Sequence, residues 1–166
     1  MKRNYTFLIV AATVLVFYLW RYRRAPDLEP NAIMVSDESG NTTNLQSLLA
    51  DSSIVICYAS WCGPCLKELR SLKTNFTEYK GTGIHFYCIT DDPEEKIQVM
   101  RDNMPSEISF LHTESLKEIG IYSIPASFFF VQNTLTDKRM DAIDWQQKST
   151  ILESFIIKSL WRKSQQ

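Results

Sequence analysis

Cys62 and Cys65 are separated by Gly63-Pro64 in the run Trp61-Cys62-Gly63-Pro64-Cys65. Two thiols at this spacing can close into a disulfide and open again by thiol–disulfide exchange, in which a thiolate attacks a disulfide sulfur. Where such a run opens a helix, the helix dipole and its free N–H groups favour a thiolate on the first cysteine. Zinc sites use the same pair spacing, but a structural zinc normally takes four ligands. No second pair exists here: Cys57 and Cys88 stand singly in apolar segments, and the only histidines, His85 and His112, are isolated. Neither a metal nor a cofactor is therefore expected, and Cys57 and Cys88 read as buried small hydrophobes.

The surrounding elements must hold the pair at the edge of a core. Ile54 to Tyr58 is apolar throughout, as expected for a central parallel strand covered on both faces. A long helix follows, with Leu66, Leu69, Leu72 and Phe76 at helical spacing and an end near Gly81 and Gly83. Upstream, Ile33-Met34-Val35 is a short strand, Asp37 to Asn41 supplies turn chemistry, and Asn44 caps a brief helix. Downstream, Ile84 to Ile89 is a strand and Asp91-Asp92-Pro93 opens a helix to about Asn103, with Pro93 at its first position. A short helical piece is expected over Glu114 to Ile119 and a strand over Ser127 to Val131. A turn over Asn133 to Asp137 then leads to a return strand over Lys138 to Ile143, and an amphipathic helix carries Leu152, Phe155, Ile156 and Leu160. Strands alternating with helices predict an α/β sandwich whose last hairpin is antiparallel, with the cysteine pair at the carboxyl end of a central strand.

In the 166-residue chain, 18 basic side chains balance 19 acidic ones, so nucleic acid is not suggested as a partner. At the N-terminus, Lys2 and Arg3 precede an uncharged, mostly apolar run from Tyr5 to Trp20, followed by Arg21, Arg23 and Arg24. The expectation is an uncleaved signal anchor, a transmembrane helix from Asn4 to Trp20 within residues 1–24. A cleaved signal peptide competes, but no small-residue cleavage site follows Phe17-Tyr18-Leu19-Trp20. Residues 25–32 read as a linker and 33–166 as the folded domain.

Taken together, Tyr58-Ala59-Ser60-Trp61-Cys62-Gly63-Pro64-Cys65, Glu68, Gly120-Ile121-Tyr122-Ser123-Ile124-Pro125-Ala126 and Ala142-Ile143-Asp144-Trp145 resemble the thioredoxin superfamily, and within it the membrane-anchored TlpA/ResA-type thiol–disulfide oxidoreductases. The resemblance implies a thioredoxin-like three-layer sandwich with a central mixed β-sheet. It also implies a cis Ile124–Pro125 bond facing the dithiol, Cys62 as nucleophile, Cys65 as resolving thiol, and Glu68 as a carboxylate handling protons. The competing reading of Glu68 is a solvated helix carboxylate. Trp61, Ile124, Pro125 and Ala126 are expected to form the surface that receives a client peptide, with Trp61, Ile124 and Ala126 as its apolar rim. Ile56 stands where thioredoxin has a buried aspartate, Arg70 where related sequences often have proline, and Ala126 where threonine is common.

The function implied is an extracytoplasmic, membrane-anchored reductase of protein disulfides. Its clients would include apocytochrome c, and its electron donor would be a membrane thiol carrier. A protein disulfide oxidase or isomerase would use the same residues with a more oxidising couple, and a thioredoxin-fold binding module would use them without turnover.

Overall fold

The computed structural model describes residues 9–18, 27–146 and 155. Residues 9–18 are helical (α1). After a 3-10 turn at Pro30–Ala32, strands β1 (Met34–Ser36) and β2 (Thr42–Asn44) form an antiparallel hairpin. Its loop is organised by Asp37, whose Oδ1 accepts from the Ser39 and Asn41 amides at 2.8 and 2.9 Å. Asn44 caps α2 (Leu45–Leu48) by accepting from the Gln46 amide at 2.9 Å.

Strand β3 (Ser52–Cys57) leads into α3 (Gly63–Asn75), and β4 (Ile84–Thr90) leads into α4 (Glu94–Asp102). Strands β5 (Ile108–His112), β6 (Ala126–Val131) and β7 (Thr134–Arg139) complete a sheet ordered β2-β1-β5-β4-β3-β6-β7. Pairs β3/β4 and β4/β5 are parallel, whereas β3/β6 and β6/β7 are antiparallel, so the sheet is mixed as expected. The neighbours β3 and β6 are apolar on both faces, because both faces are covered. On one side Leu69 and Leu72 of α3 and Ile97 of α4 pack with Ile54, Ile56 and Phe86. On the other, Leu28, Leu45, Leu116 and Ile121 pack with Val55, Ile89 and Phe128. Burying each such side chain contributes about 1.5–3 kcal/mol.

Among the described residues no helix is long and apolar enough to cross a membrane, so the expected anchor finds no support there. Helix α1, with ten described residues, spans only about 15 Å of the roughly 30 Å hydrocarbon layer; the rest of the expected span lies outside the described residues. Leu28 is buried with Ile33 and Val35, so packing begins within the stretch read as a linker. Residues 114–119 form turns rather than a helix. They close as a helix C-terminus would, with Ile121 N–H donating to Leu116 O at 2.8 Å and Gly120 N–H to Lys117 O at 3.0 Å, around Gly120 at φ 85. The Leu116 amide is taken by Asp91 Oδ2 at 3.1 Å.

The return strand starts earlier than expected. Gln132 and Asn133 both adopt positive φ, making a two-residue hairpin that pairs Val131 with Thr134. Pro93 stands one residue before α4. The closing amphipathic helix lies outside the described residues except for Phe155, which is helical and buried with its ring 5.7 Å from that of Phe129.

An aromatic cluster fastens residues 143–146 to this body. The rings of Tyr79 and Phe86 lie 5.8 and 5.5 Å from that of Trp145, and Tyr79 Oη donates to Trp145 O at 3.0 Å. Replacing Leu72 by Ala is expected to cost about 2–5 kcal/mol of stability, the cavity cost of a buried leucine. Tyr79→Phe, which removes only the hydroxyl, is expected to cost about 1 kcal/mol. Urea unfolding of both variants checks the ordering.

Candidate active site

The parallel strand β3 ends at Cys57, and the chain turns through residues 58–62 before α3 begins. Three backbone donors fix that turn. Tyr58 N–H donates to Ile89 O at 3.0 Å, Cys62 N–H to Ala59 O at 3.0 Å, and Ser60 N–H to the buried Asp92 carboxylate at 2.5 Å. Asp92 is itself held by the Thr90 hydroxyl, which donates to the same oxygen at 3.1 Å.

Cys62 is the N-cap of α3 and Cys65 sits in its first turn, and the two form a disulfide. Cys62 Sγ accepts from the Cys65 amide at 3.3 Å, so the sulfur occupies the place of a capping oxygen. In the reduced protein the same donor and the helix dipole stabilise a thiolate on Cys62. Cys62 is 6% exposed and Cys65 1%, which leaves Cys62 the more accessible sulfur. Gly63 and Pro64 are exposed beside it, and Trp61 stands out at 75% exposure. The Ile124–Pro125 peptide bond is cis, as expected, and Ile124 O lies 3.8 Å from Cys62 Sγ. Pro125 is buried and Ile124 half-buried. Ala126 departs from expectation: it is 0% exposed and begins β6 opposite Cys57, so its side chain is no part of an apolar rim.

Glu68 lies one turn beyond Cys65 on the buried face of α3 and is 1% exposed, which excludes a solvated helix carboxylate. Its Oε1 accepts from the Ser127 hydroxyl at 2.9 Å, whereas Oε2 has no hydrogen-bond partner among the described residues. Burial pushes the Glu68 pKa up to about 7; the Ser127 hydroxyl, the Ile143 amide and the Trp145 indole oppose the rise only in part. The side chain helps to wall a cleft of about 310 Å³ between α3 and residues 142–146. Ser71 secures the far wall, donating to Asp144 Oδ1 at 3.0 Å and accepting from the Trp145 amide at 2.9 Å.

Cys57 and Cys88 are free, buried and on opposite faces of the sheet, so they do not pair with each other. Burial raises the Cys57 thiol to about 12 and pushes Cys88 upward as well, leaving both without nucleophilic character. No group of His, Cys, Asp and Glu among the described residues is arranged to hold a metal ion.

Two contributors escaped the sequence reading. Asp92, read only as part of a helix start, pins the loop before Cys62. Ser127 was read only as strand. Its signal was a lone hydroxyl in the otherwise apolar Ala126–Val131, since a buried polar group needs a partner.

The AhpC/TSA family model matches residues 22–138. The thiol-disulfide oxidoreductase ResA of Bacillus cereus is 26% identical over 134 residues, covering 78% of this chain and 75% of that protein. Among solved structures, the thioredoxin domain of a thiol-disulfide oxidoreductase from Bacteroides vulgatus superposes with a TM-score of 0.61 at 18% identity, covering 80% of this chain and 99% of that one. StoA from Bacillus subtilis gives 0.57 at 15% identity, with 79% and 99% covered. These structural likenesses establish the thioredoxin-like fold.

The raised Glu68 pKa has a consequence for stability. Between the ordinary value of 4.5 and about 7, the folded protein holds a proton that the unfolded chain has released. The folded state therefore binds more protons, and stability falls as pH rises through this window. Its contribution is fully present below 4.5 and is lost by about pH 7, a change of roughly 3 kcal/mol at 1.36 kcal/mol per unit. Urea unfolding of the oxidised protein between pH 5 and 8 is expected to show this decline, and Glu68→Gln to flatten it.

Proposed function

The chain belongs to the AhpC/TSA family and is a thiol–disulfide oxidoreductase of the thioredoxin fold, and from that premise we propose that it reduces protein disulfides through the Cys62/Cys65 dithiol. The observation that carries this reading is the Cys62–Cys65 disulfide at the N-terminus of α3, with the Cys62 sulfur taking the Cys65 amide and a buried carboxyl one turn behind.

In the reduced protein the Cys62 thiolate attacks one sulfur of a client disulfide. A Cys62–client disulfide forms, the client S–S bond breaks, and the departing client thiolate takes up a proton. Cys65 then loses its proton to the Glu68 carboxylate and attacks Cys62 Sγ. The Cys62–Cys65 bond forms, and the second client thiolate leaves and receives that proton. The balance is one dithiol oxidised and one disulfide reduced, with two electrons and two protons transferred. The exposed Trp61 ring and the Ile124–Pro125 turn flank the reacting sulfur and receive the client chain.

The setting is proposed on the sequence. The uncharged run Tyr5–Trp20, bounded by Lys2, Arg3 and Arg21, anchors the chain in a membrane, with the folded part on the extracytoplasmic side where disulfides persist. Its clients are disulfide-bearing proteins, apocytochrome c among them, and a membrane thiol carrier re-reduces it; the support for both is the resemblance to TlpA/ResA-type proteins.

Cys65→Ser is expected to accumulate a covalent Cys62–client adduct that dithiothreitol releases, visible as a mass increase of one client chain. Cys62→Ser is expected to form no adduct and to reduce insulin disulfides only at the uncatalysed rate. An adduct formed through Cys65 in the Cys62→Ser protein would overturn the assignment of roles.

A further inference from the structure

Ser127 lies on β6, 59 residues along the chain from Glu68, yet their side chains meet inside the protein with Ser127 Oγ donating to Glu68 Oε1 at 2.9 Å. Both side chains are buried, and Ser127 is the only hydroxyl-bearing residue in Ala126–Val131. The bond occupies one carboxyl oxygen and leaves Oε2 without a hydrogen-bond partner among the described residues. We propose that Ser127 is a positioning residue for the dithiol reaction: its hydroxyl fixes the Glu68 carboxyl so that Oε2 alone exchanges the proton that passes to and from Cys65. The proposal rests on the reading of Glu68 as the acid–base group of the Cys62/Cys65 couple.

The chemistry supports a tuning role as well as a geometric one. A hydroxyl that donates to a carboxylate favours the charged form, so Ser127 opposes the effect of burial on Glu68. Of the other groups facing Glu68, the Ile143 amide and the Trp145 indole also favour its charged form, but neither makes a hydrogen bond of normal geometry to Oε2. Cys65 lies one turn back on α3 and is the reaction partner itself. Cys57 on β3 and Cys88 on β4 are buried thiols whose own ionisation the Glu68 carboxylate disfavours, so near neutral pH they carry no charge. Asp144, Lys67 and Arg70 line the cleft beside it, and Asp144 is already engaged by Ser71. Among the described residues, the Ser127 hydroxyl makes the one side-chain hydrogen bond of normal geometry to this carboxyl.

The test is the rate at which dithiothreitol reduces the oxidised protein, measured from pH 5 to 9 and corrected for the dithiothreitol thiolate. When the Cys62–Cys65 bond opens, protonated Glu68 supplies the departing Cys65 thiolate. The corrected rate should therefore fall through a midpoint near 7. Glu68→Gln should remove the midpoint. Ser127→Ala should move it upward by about one pH unit, the size expected for loss of a hydrogen bond to a charged group, and Ser127→Thr should leave it in place. If Glu68→Gln keeps the midpoint, the underlying reading of Glu68 fails and the proposal falls with it. If Glu68→Gln removes it but Ser127→Ala leaves it unmoved, the proposal alone is overturned. A readout that depends on no variant is the ¹³Cβ resonance of Ser127 in the unaltered protein. It should titrate with Glu68, and a resonance that stays fixed through the midpoint overturns the proposal however the variants fold.

Discussion

The contact between the Cys62 sulfur and the Cys65 amide sets what the rest of the molecule must accomplish. A sulfur can serve as the cap of α3 only if the chain delivers it to the helix axis at the point where free N–H groups emerge. Delivery is the work of β3, buried between parallel β4 and antiparallel β6, and of the short turn that follows. Asp92, from the end of the neighbouring strand, fixes that turn through the Ser60 amide. The cis Ile124–Pro125 turn closes the opposite side and brings the Ile124 carbonyl up to the sulfur. The reacting atom is thus held by three separate parts of the chain, beside the exposed Trp61, Gly63 and Pro64.

The second constraint is the cost of placing a carboxyl inside the core. Burying an ionised carboxylate without partners is costly enough that such a group ordinarily takes up a proton instead. Burial pushes the Glu68 carboxyl up, and the Ser127 bond, with the Ile143 amide and the Trp145 indole, opposes it only in part, which puts the change between its protonation states near neutrality. A group so poised can accept and return a proton in one reaction cycle. Ile56, at the strand position where the resemblance to thioredoxin implies a buried aspartate, is apolar and 1% exposed, which leaves Glu68 on α3 as the carboxyl proposed to handle the proton.

Much of this was legible in the sequence, and what escaped it has a common cause. The cysteine spacing, the apolar β3 segment and the helical repeat of Leu69 and Leu72 are local patterns that the structure bears out, although α3 ends at Asn75, with Phe76 opening a 3-10 turn, short of the end expected near Gly81 and Gly83. The cis proline and the position of Glu68 followed from a family resemblance. By contrast, the bonds of Ser127 to Glu68 and of Asp92 to Ser60 join residues far apart in the chain, and no local pattern encodes the pairing. The expectation for Ala126 failed because β6 begins at that residue and turns its side chain into the core. The segment 114–119 has a helical hydrophobic pattern, but Gly120 and the Asp91 bond to Leu116 end it before a helix can propagate.

The N-terminus of α3 and the buried Glu68 are together expected to produce a reducing, reversible Cys62/Cys65 couple. Its reduction potential, measured against thiol–disulfide buffers with Cys57 and Cys88 changed to serine, tests this most directly. A reversible two-electron couple below about −220 mV is expected. A value above about −150 mV, or no reversible couple at all, would contradict it.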